Sequence, residues 1–143
     1  MKNFIYGFLR SDFENKAYNL AFFFYRIALA VEMIVVHGMK KVAHAGHVAE
    51  IVPNPFGLPD GLNQASAFTC TLILPFFVIA GLATRAAAFF TAIIPLTGYF
   101  IIHWNGSLAE KDVPFMYFLS FFLVAVFGGG KYSIDNYFAE TIK

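Results

Sequence analysis

Charge is scarce in this chain. Asp, Glu, Lys and Arg supply 13% of its 143 residues, where a soluble domain has roughly 25%. With a formal net charge of only +1, there is no electrostatic footprint for nucleic acid. Cysteine is almost absent too. Cys70 stands alone, which excludes an internal disulfide framework and leaves the redox compartment unread. There is no CxxCH, no HExxH, no internal repeat and no low-complexity tract. Gly128-Gly129-Gly130-Lys131-Tyr132-Ser133 lacks the spacing of a phosphate loop. Arg10, Asp12, Glu14 and Lys16 break the apolar start before any small-residue cleavage site, so no removed leader is expected.

Apolar surface is what the chain does have. Hydrophobic residues make up 59%, with 19 Phe, 7 Tyr and 1 Trp, and the mean hydropathy is +0.64. One small domain cannot hide that much aromatic surface in a core, so lipid is the expected solvent. A spanning helix needs about 20 apolar residues. The pattern predicts an all-α, polytopic membrane protein: one domain over residues 1–143, built as a bundle of four transmembrane helices. The spans are expected at about 17–38, 67–83, 86–104 and 113–128, with an interfacial segment over 1–16 and a tail over 129–143. Runs such as Leu72 to Ala80 are apolar on every side, unlike the alternating strands of a barrel. Pro53, Pro55, Gly57, Pro59 and Gly61 mark a long loop, Thr84-Arg85 a tight turn, and Asp112 an N-cap for the last span. Pro75 and Pro95 are expected to kink their helices.

Lys and Arg set the orientation. Lys2, Arg10, Lys16, Arg85, Lys131 and Lys143 fall on one side, and Lys40, Lys41 and Lys111 on the other. Both termini are therefore expected in the cytoplasm of a bacterial inner membrane.

Polar groups inside the spans carry the functional reading, because charge in hydrocarbon is costly. Arg26 and His37 project within about 20° of each other on a helix, and Glu32 about 240° round from Arg26. Arg26, Glu32, His37, Lys41 and His103 thus suggest a polar pocket for a head group, a quinone or a proton path. The competing readings are a snorkelling or paired Arg26, and a protonated Glu32 bonded to a neighbouring helix. His44 and His47, three apart, are the only spacing that suits a metal, and His37 with His103 a bis-His haem. No thiolate supports either, so no metal or haem is expected. Cys70 reads as packing, and Tyr99, Trp104, Tyr117 and Tyr132 as an interfacial aromatic belt.

Four short motifs, in order, carry a resemblance. Gly128 to Asp135 is similar to the Gly-rich, Lys-Tyr-Ser-Ile-Asp ending of the DoxX family. Gly81-Leu82-Ala83-Thr84-Arg85 resembles that family's turn between spans two and three. Arg26 with His37-Gly38-Met39-Lys40-Lys41 resembles its first span, and Phe56-Gly57-Leu58-Pro59 its outer loop. One departure is Ala28 to Ala30, where many members carry glycine. The resemblance implies a four-helix bacterial inner-membrane protein whose recurrent residues map to Arg26, His37, Lys41, Arg85, Tyr132, Ser133 and Asp135. It also implies a subunit of a quinone-linked oxidoreductase rather than an enzyme on its own, with lipid, other redox subunits or further copies of itself as partners. A small transporter, a lipid- or solute-binding protein and a scaffold subunit are the alternatives. Arg85, Tyr132, Ser133 and Asp135 are assigned structural roles, with Asp135 expected to pair with Arg85 or Arg26.

Overall fold

The structure, a computed structural model, describes residue 13, residues 15–42 and residues 50–142. Most of the expected interfacial segment over 1–16, together with His44 and His47, lies outside the described residues. No strand occurs among them. Four long helices follow one another: α1 Lys16–Lys41, α2 Asp60–Ala80, α3 Thr84–Ile102 and α4 Leu108–Phe127. A short α5, Ile134–Ile142, closes the chain. By length and composition α1, α2 and α3 suffice to cross a membrane. The 20-residue α4 carries Glu110, Lys111 and Asp112 in its first two turns.

Local chemistry explains the boundaries. Asn15 caps α1, its side-chain oxygen accepting from the Ala17 amide at 2.8 Å. The first connection is held by Asn63, whose amide donates to the carbonyls of Val52 and Pro53 at 3.2 Å each. Consequently α2 starts seven residues earlier than the hydropathy pattern suggests, at polar Asp60, because this loop supports its first turns. Gly81 ends α2 at φ 73°, a left-handed conformation that glycine adopts freely. The N-cap of α4 is Ser107, not Asp112. Its hydroxyl accepts from the Glu110 amide at 3.4 Å, and the helix therefore begins a turn before the apolar run.

Each helix packs against its sequence neighbour, α3 against α4 along most of their length, while α1 meets α4 through side chains, Phe22 against Phe127 and His37 against Tyr117. The core gathers Ala30 and Met33 of α1, Val78 of α2, Ala87, Ala88 and Ala92 of α3, and Phe121 and Val124 of α4. The alanines let α3 lie close to its neighbours, as small residues do between membrane helices. Large apolar side chains such as Phe24, Phe76, Phe90 and Phe122 face outward. That inversion fits a lipid environment.

Regular α-helix gives way to wide π turns in three of the four helices: Met33–Gly38 in α1, Thr69–Ile73 in α2 and Gly98–Ile102 in α3. In α2 the wide turn immediately precedes Pro75, whose ring would clash with the carbonyl four residues earlier in a regular helix. In α3 it follows Pro95 within one turn. The kinks anticipated at these prolines thus take the form of local unwinding.

Candidate functional site

Two polar centres lie at opposite ends of the bundle. At the Arg85 end, the Gly81–Arg85 turn and the Gly128–Asp135 segment meet α1. Arg26 is fully buried. One terminal nitrogen donates to the carbonyls of Val78 and, at 3.1 Å, Ile79; the other donates to the carbonyl of Tyr132 at 2.9 Å. The Ile79 carbonyl is one that the end of α2 leaves unmatched, and the Val78 carbonyl otherwise has the Gly81 amide at 3.3 Å. Arg26 is therefore level with the last turn of α2 rather than halfway down the bundle, and the Phe23 ring lies 5.8 Å from its guanidinium.

Asp135 does not pair with either arginine. One oxygen accepts from the Ala83 amide at 2.7 Å, and the other from the amide and hydroxyl of Thr84, both at 2.8 Å. The reason is physical: the first amides of α3 have no intrahelical acceptor, no side chain of the helix caps them, and the helix dipole favours an anion there. The bond to Ala83 holds that residue at φ 47°, which is strained for a side chain with a Cβ. The Asp135 amide in turn donates to the Gly81 carbonyl at 2.8 Å. Ser133 caps α5, its hydroxyl accepting from the Asn136 amide at 3.1 Å while donating to Gly130 at 2.6 Å. Arg85 donates to the Val126 carbonyl at 2.8 Å. A Cβ on Gly129 would come within 2.6 Å of the Ser133 Cβ and 2.8 Å of the Thr84 hydroxyl. This end is a tightly closed latch.

The other end is open. The three π turns surround a cavity of about 560 Å³. Met33 and His37 line it from α1, Cys70 and Thr71 from α2, Gly98 and Ile102 from α3, and Tyr117 from α4. Lys41, Glu50 and His103 sit at its rim, and Pro53, Pro55, Phe56 and Leu58 cover it. The His37 and Tyr117 rings meet edge to face at 5.0 Å. Lys41 is held in place by a 3.0 Å bond to the His37 carbonyl. The His37 Nε2 is buried and has no hydrogen-bond partner. An unmatched polar atom costs about 1–3 kcal/mol. Among the described residues, no three His, Cys, Asp or Glu cluster as metal ligands.

Of the residues singled out from sequence, His37, Lys41 and His103 are thus brought to one cavity. Arg26 belongs to the latch at the other end, with Arg85, Tyr132, Ser133 and Asp135. Glu32 is exposed on the outside of α1. Tyr117 and Cys70, read from sequence as belt and packing, line the cavity instead. The only sequence signal for this was the presence of Pro75, Pro95 and Gly98 within apolar spans.

A family model described as DoxX matches residues 21–104, more than half of the chain. An uncharacterized protein of Haemophilus influenzae is 30% identical over 107 residues, which cover 69% of this chain and 71% of that protein. No solved structure matches.

Proposed function

This chain belongs to the DoxX family of membrane proteins, and from that premise we propose that it is an accessory subunit of a quinone-linked redox assembly in a bacterial inner membrane, holding a quinone head group beside His37. It acts as one four-crossing domain over residues 1–143. Although the first two turns of α4 are charged, it reads as the fourth crossing because the remainder of that helix is apolar. Both termini then lie in the cytoplasm, on the side of Arg85 and Lys131.

The observation that carries the reading is a mostly apolar chamber of about 560 Å³ lined by His37, whose buried Nε2 has no hydrogen-bond partner. Small-molecule sites have this character: apolar walls, a few convergent polar groups and a volume of several hundred Å³. A quinone ring is a flat apolar body with two carbonyl acceptors. His37 would donate to one of them, Tyr117 would pack or donate beside it, and Lys41 and His103 would face the second from the rim. When bound, the quinone supplies the two-electron chemistry. The protein's own part is to orient the ring and keep water from it. Electrons would come from a partner subunit. What supports holding over passing, and so disfavours a small transporter, is the latch that closes the Arg85 end.

Trp104 adjoins His103 and is the protein's one tryptophan, so its fluorescence reports on the rim. Short-chain ubiquinone or menaquinone analogues should quench it saturably, and His37→Ala should weaken that binding about tenfold, the worth of one hydrogen bond. If a fatty acid or phospholipid competes equally well, the cavity is a general lipid site. If nothing saturates, the quinone reading fails.

A further inference from the structure

Neighbouring helices meet at four seams around the cavity, and three of these are shut by contacts. Between α1 and α2, Gly38 lies so close that a Cβ on it would come within 2.6 Å of the Thr71 carbonyl oxygen. Above that point the first connection bridges the same two helices. The Glu50 amide donates to the Lys40 carbonyl at 2.9 Å, and the Asn63 side chain donates to the carbonyls of Val52 and Pro53. Between α4 and α1 the rings of His37 and Tyr117 meet. Between α3 and α4, Gly98 faces Pro114, and the Tyr99 and Phe115 rings lie 5.3 Å apart.

The fourth seam differs. From the Gly81 corner as far as the wide turn Thr69–Ile73, α2 and α3 lie together; along Asp60–Phe68 they draw apart. Thr71 marks the flank of α2 that abuts α1, and Gly98 the flank of α3 that abuts α4. Cys70 and Thr97 each stand one residue earlier, roughly a quarter-turn round the helix. Ser66 and Ile93 stand four residues before them, on the same flank. All four line the cavity, yet Ser66 and Ile93 are exposed and Cys70 and Thr97 only half-buried. Met33, Ala67 and Thr71 line the same cavity and are buried, so facing it does not by itself expose a residue. The four exposed and half-buried residues therefore frame an opening between the two helices that draw apart.

We propose that the cavity opens sideways into the membrane between α2 and α3, and that the isoprenoid tail of a bound quinone passes out through this window while its ring stays beside His37. This rests on the reading of the cavity as a quinone site. It narrows the ligand to a membrane-dissolved quinone with a long tail, which enters and leaves from lipid. Chemistry selects the occupant. The frame carries no charge, and the Thr97 hydroxyl is already satisfied by the Ile93 carbonyl at 2.9 Å, so an ion or a strongly polar solute finds little to replace its water there. Outside the window, Ile73, Phe76, Phe90 and Phe100 of the same two helices are exposed, which continues the passage into the lipid-facing surface. The other ways out suit a tail less. The floor is blocked, since Met33 belongs to the packed core with Ala30, Ala92 and Phe121. The rim carries Lys41 and Glu50, against which hydrocarbon would desolvate charge.

The test uses the full-length protein in phospholipid nanodiscs. A benzoquinone carrying a diazirine on its first isoprene unit should, on illumination, label Ser66, Cys70, Ile93 and Thr97. Labels gathered on Pro55, Phe56 or Leu58 would put the tail at the rim, and labels on α1 or α4 would put it at another seam; either overturns the proposal. Ser66→Phe narrows the passage at an exposed position. The tailed quinone should then bind about fivefold or more weakly, while a tailless benzoquinone, read by Trp104 quenching, stays within about twofold of wild type. Equal losses for the two ligands, or no loss for either, would also overturn it. The opening is tested separately with no quinone present. A phospholipid bearing a diazirine in its acyl chain should label buried Ala67 and Thr71 as well as outward Phe76 and Phe90. Labels on Phe76 and Phe90 alone would mean a closed wall and end the proposal. Labels on all four without saturable quinone binding would overturn the quinone tail as occupant and leave the opening.

Discussion

The two ends of this bundle solve opposite problems with the same kind of side chain. At the Arg85 end, Arg26 and Asp135 each reach a helix terminus: the guanidinium takes the last carbonyls of α2, and the carboxylate takes the first amides of α3. The α2–α3 corner is thereby clamped from both sides, and glycines at 81 and 129 admit the tail at a distance no Cβ would allow. At the His37 end, three helices widen and a histidine nitrogen is left without a partner. Buried polar groups are normally satisfied. The Arg26 Nε is also without a hydrogen bond, so what separates the two ends is the set of backbone bonds that closes the latch and the cavity that His37 lines.

The largest effect should come from the latch. Arg26→Ala takes the side-chain donor from the carbonyls of Ile79 and Tyr132 and leaves Val78 with only the Gly81 amide, and is expected to destabilise the protein by about 3–5 kcal/mol. Unfolding in mixed micelles with increasing SDS measures it. A loss below about 1 kcal/mol would mean that the closed end is not what holds the fold, and the contrast between the ends would disappear. Next in size is Gly129→Ala. Its Cβ would press on Ser133 and the Thr84 hydroxyl, and overpacking of this kind costs about 1–3 kcal/mol in the same assay.

How much of this was readable beforehand depends on what each residue binds. Apolar runs marked the helices, because lipid demands length and hydropathy together. The Gly81–Arg85 and Gly128–Asp135 motifs stood out, and the structure brings them together around Arg26. Their mutual arrangement was misread, since an arginine and an aspartate suggest an ion pair. Here both bind backbone. A carbonyl of Val78 or an amide of Ala83 leaves no side-chain pattern, so nothing in the residue types announces it; Thr84, which adds its hydroxyl to Asp135, is the exception. The cavity was legible only in part. His37, Lys41 and His103 drew notice as polar groups in apolar surroundings. The widened turns that join them to Cys70 and Tyr117 arise from packing and from prolines whose effect a helical wheel cannot represent.

The open end should tolerate what the closed end does not. Cys70 lines the cavity and is half-buried. Cys70→Phe places a ring in space that is already there, so stability should fall by less than about 1 kcal/mol. Quinone binding should drop about tenfold or more, because the ring and the ligand compete for one volume. Tryptophan quenching and SDS unfolding on the same preparation separate the two readouts. Equal losses in both would show that the chamber is ordinary core rather than a site.

The smallest effect is the most discriminating. Gly98 begins the wide turn of α3 at φ −54°, an ordinary right-handed value, and a Cβ there would meet the Pro114 Cβ at 3.5 Å, a normal contact. Alanine is favoured over glycine within a helix by about 0.5–1 kcal/mol. Gly98→Ala is therefore expected to leave stability unchanged or raise it by up to about 0.5 kcal/mol, with quinone affinity within about twofold of wild type. The same substitution thirty-one residues later in the chain, at Gly129, is expected to do the reverse. If Gly98→Ala instead lowered stability as Gly129→Ala does, the wide turn would require glycine for itself, and the open end would be as tightly specified as the latch. If it raised stability and tightened the turn while weakening quinone, the cavity's width would be shown to be held at the expense of regular helix.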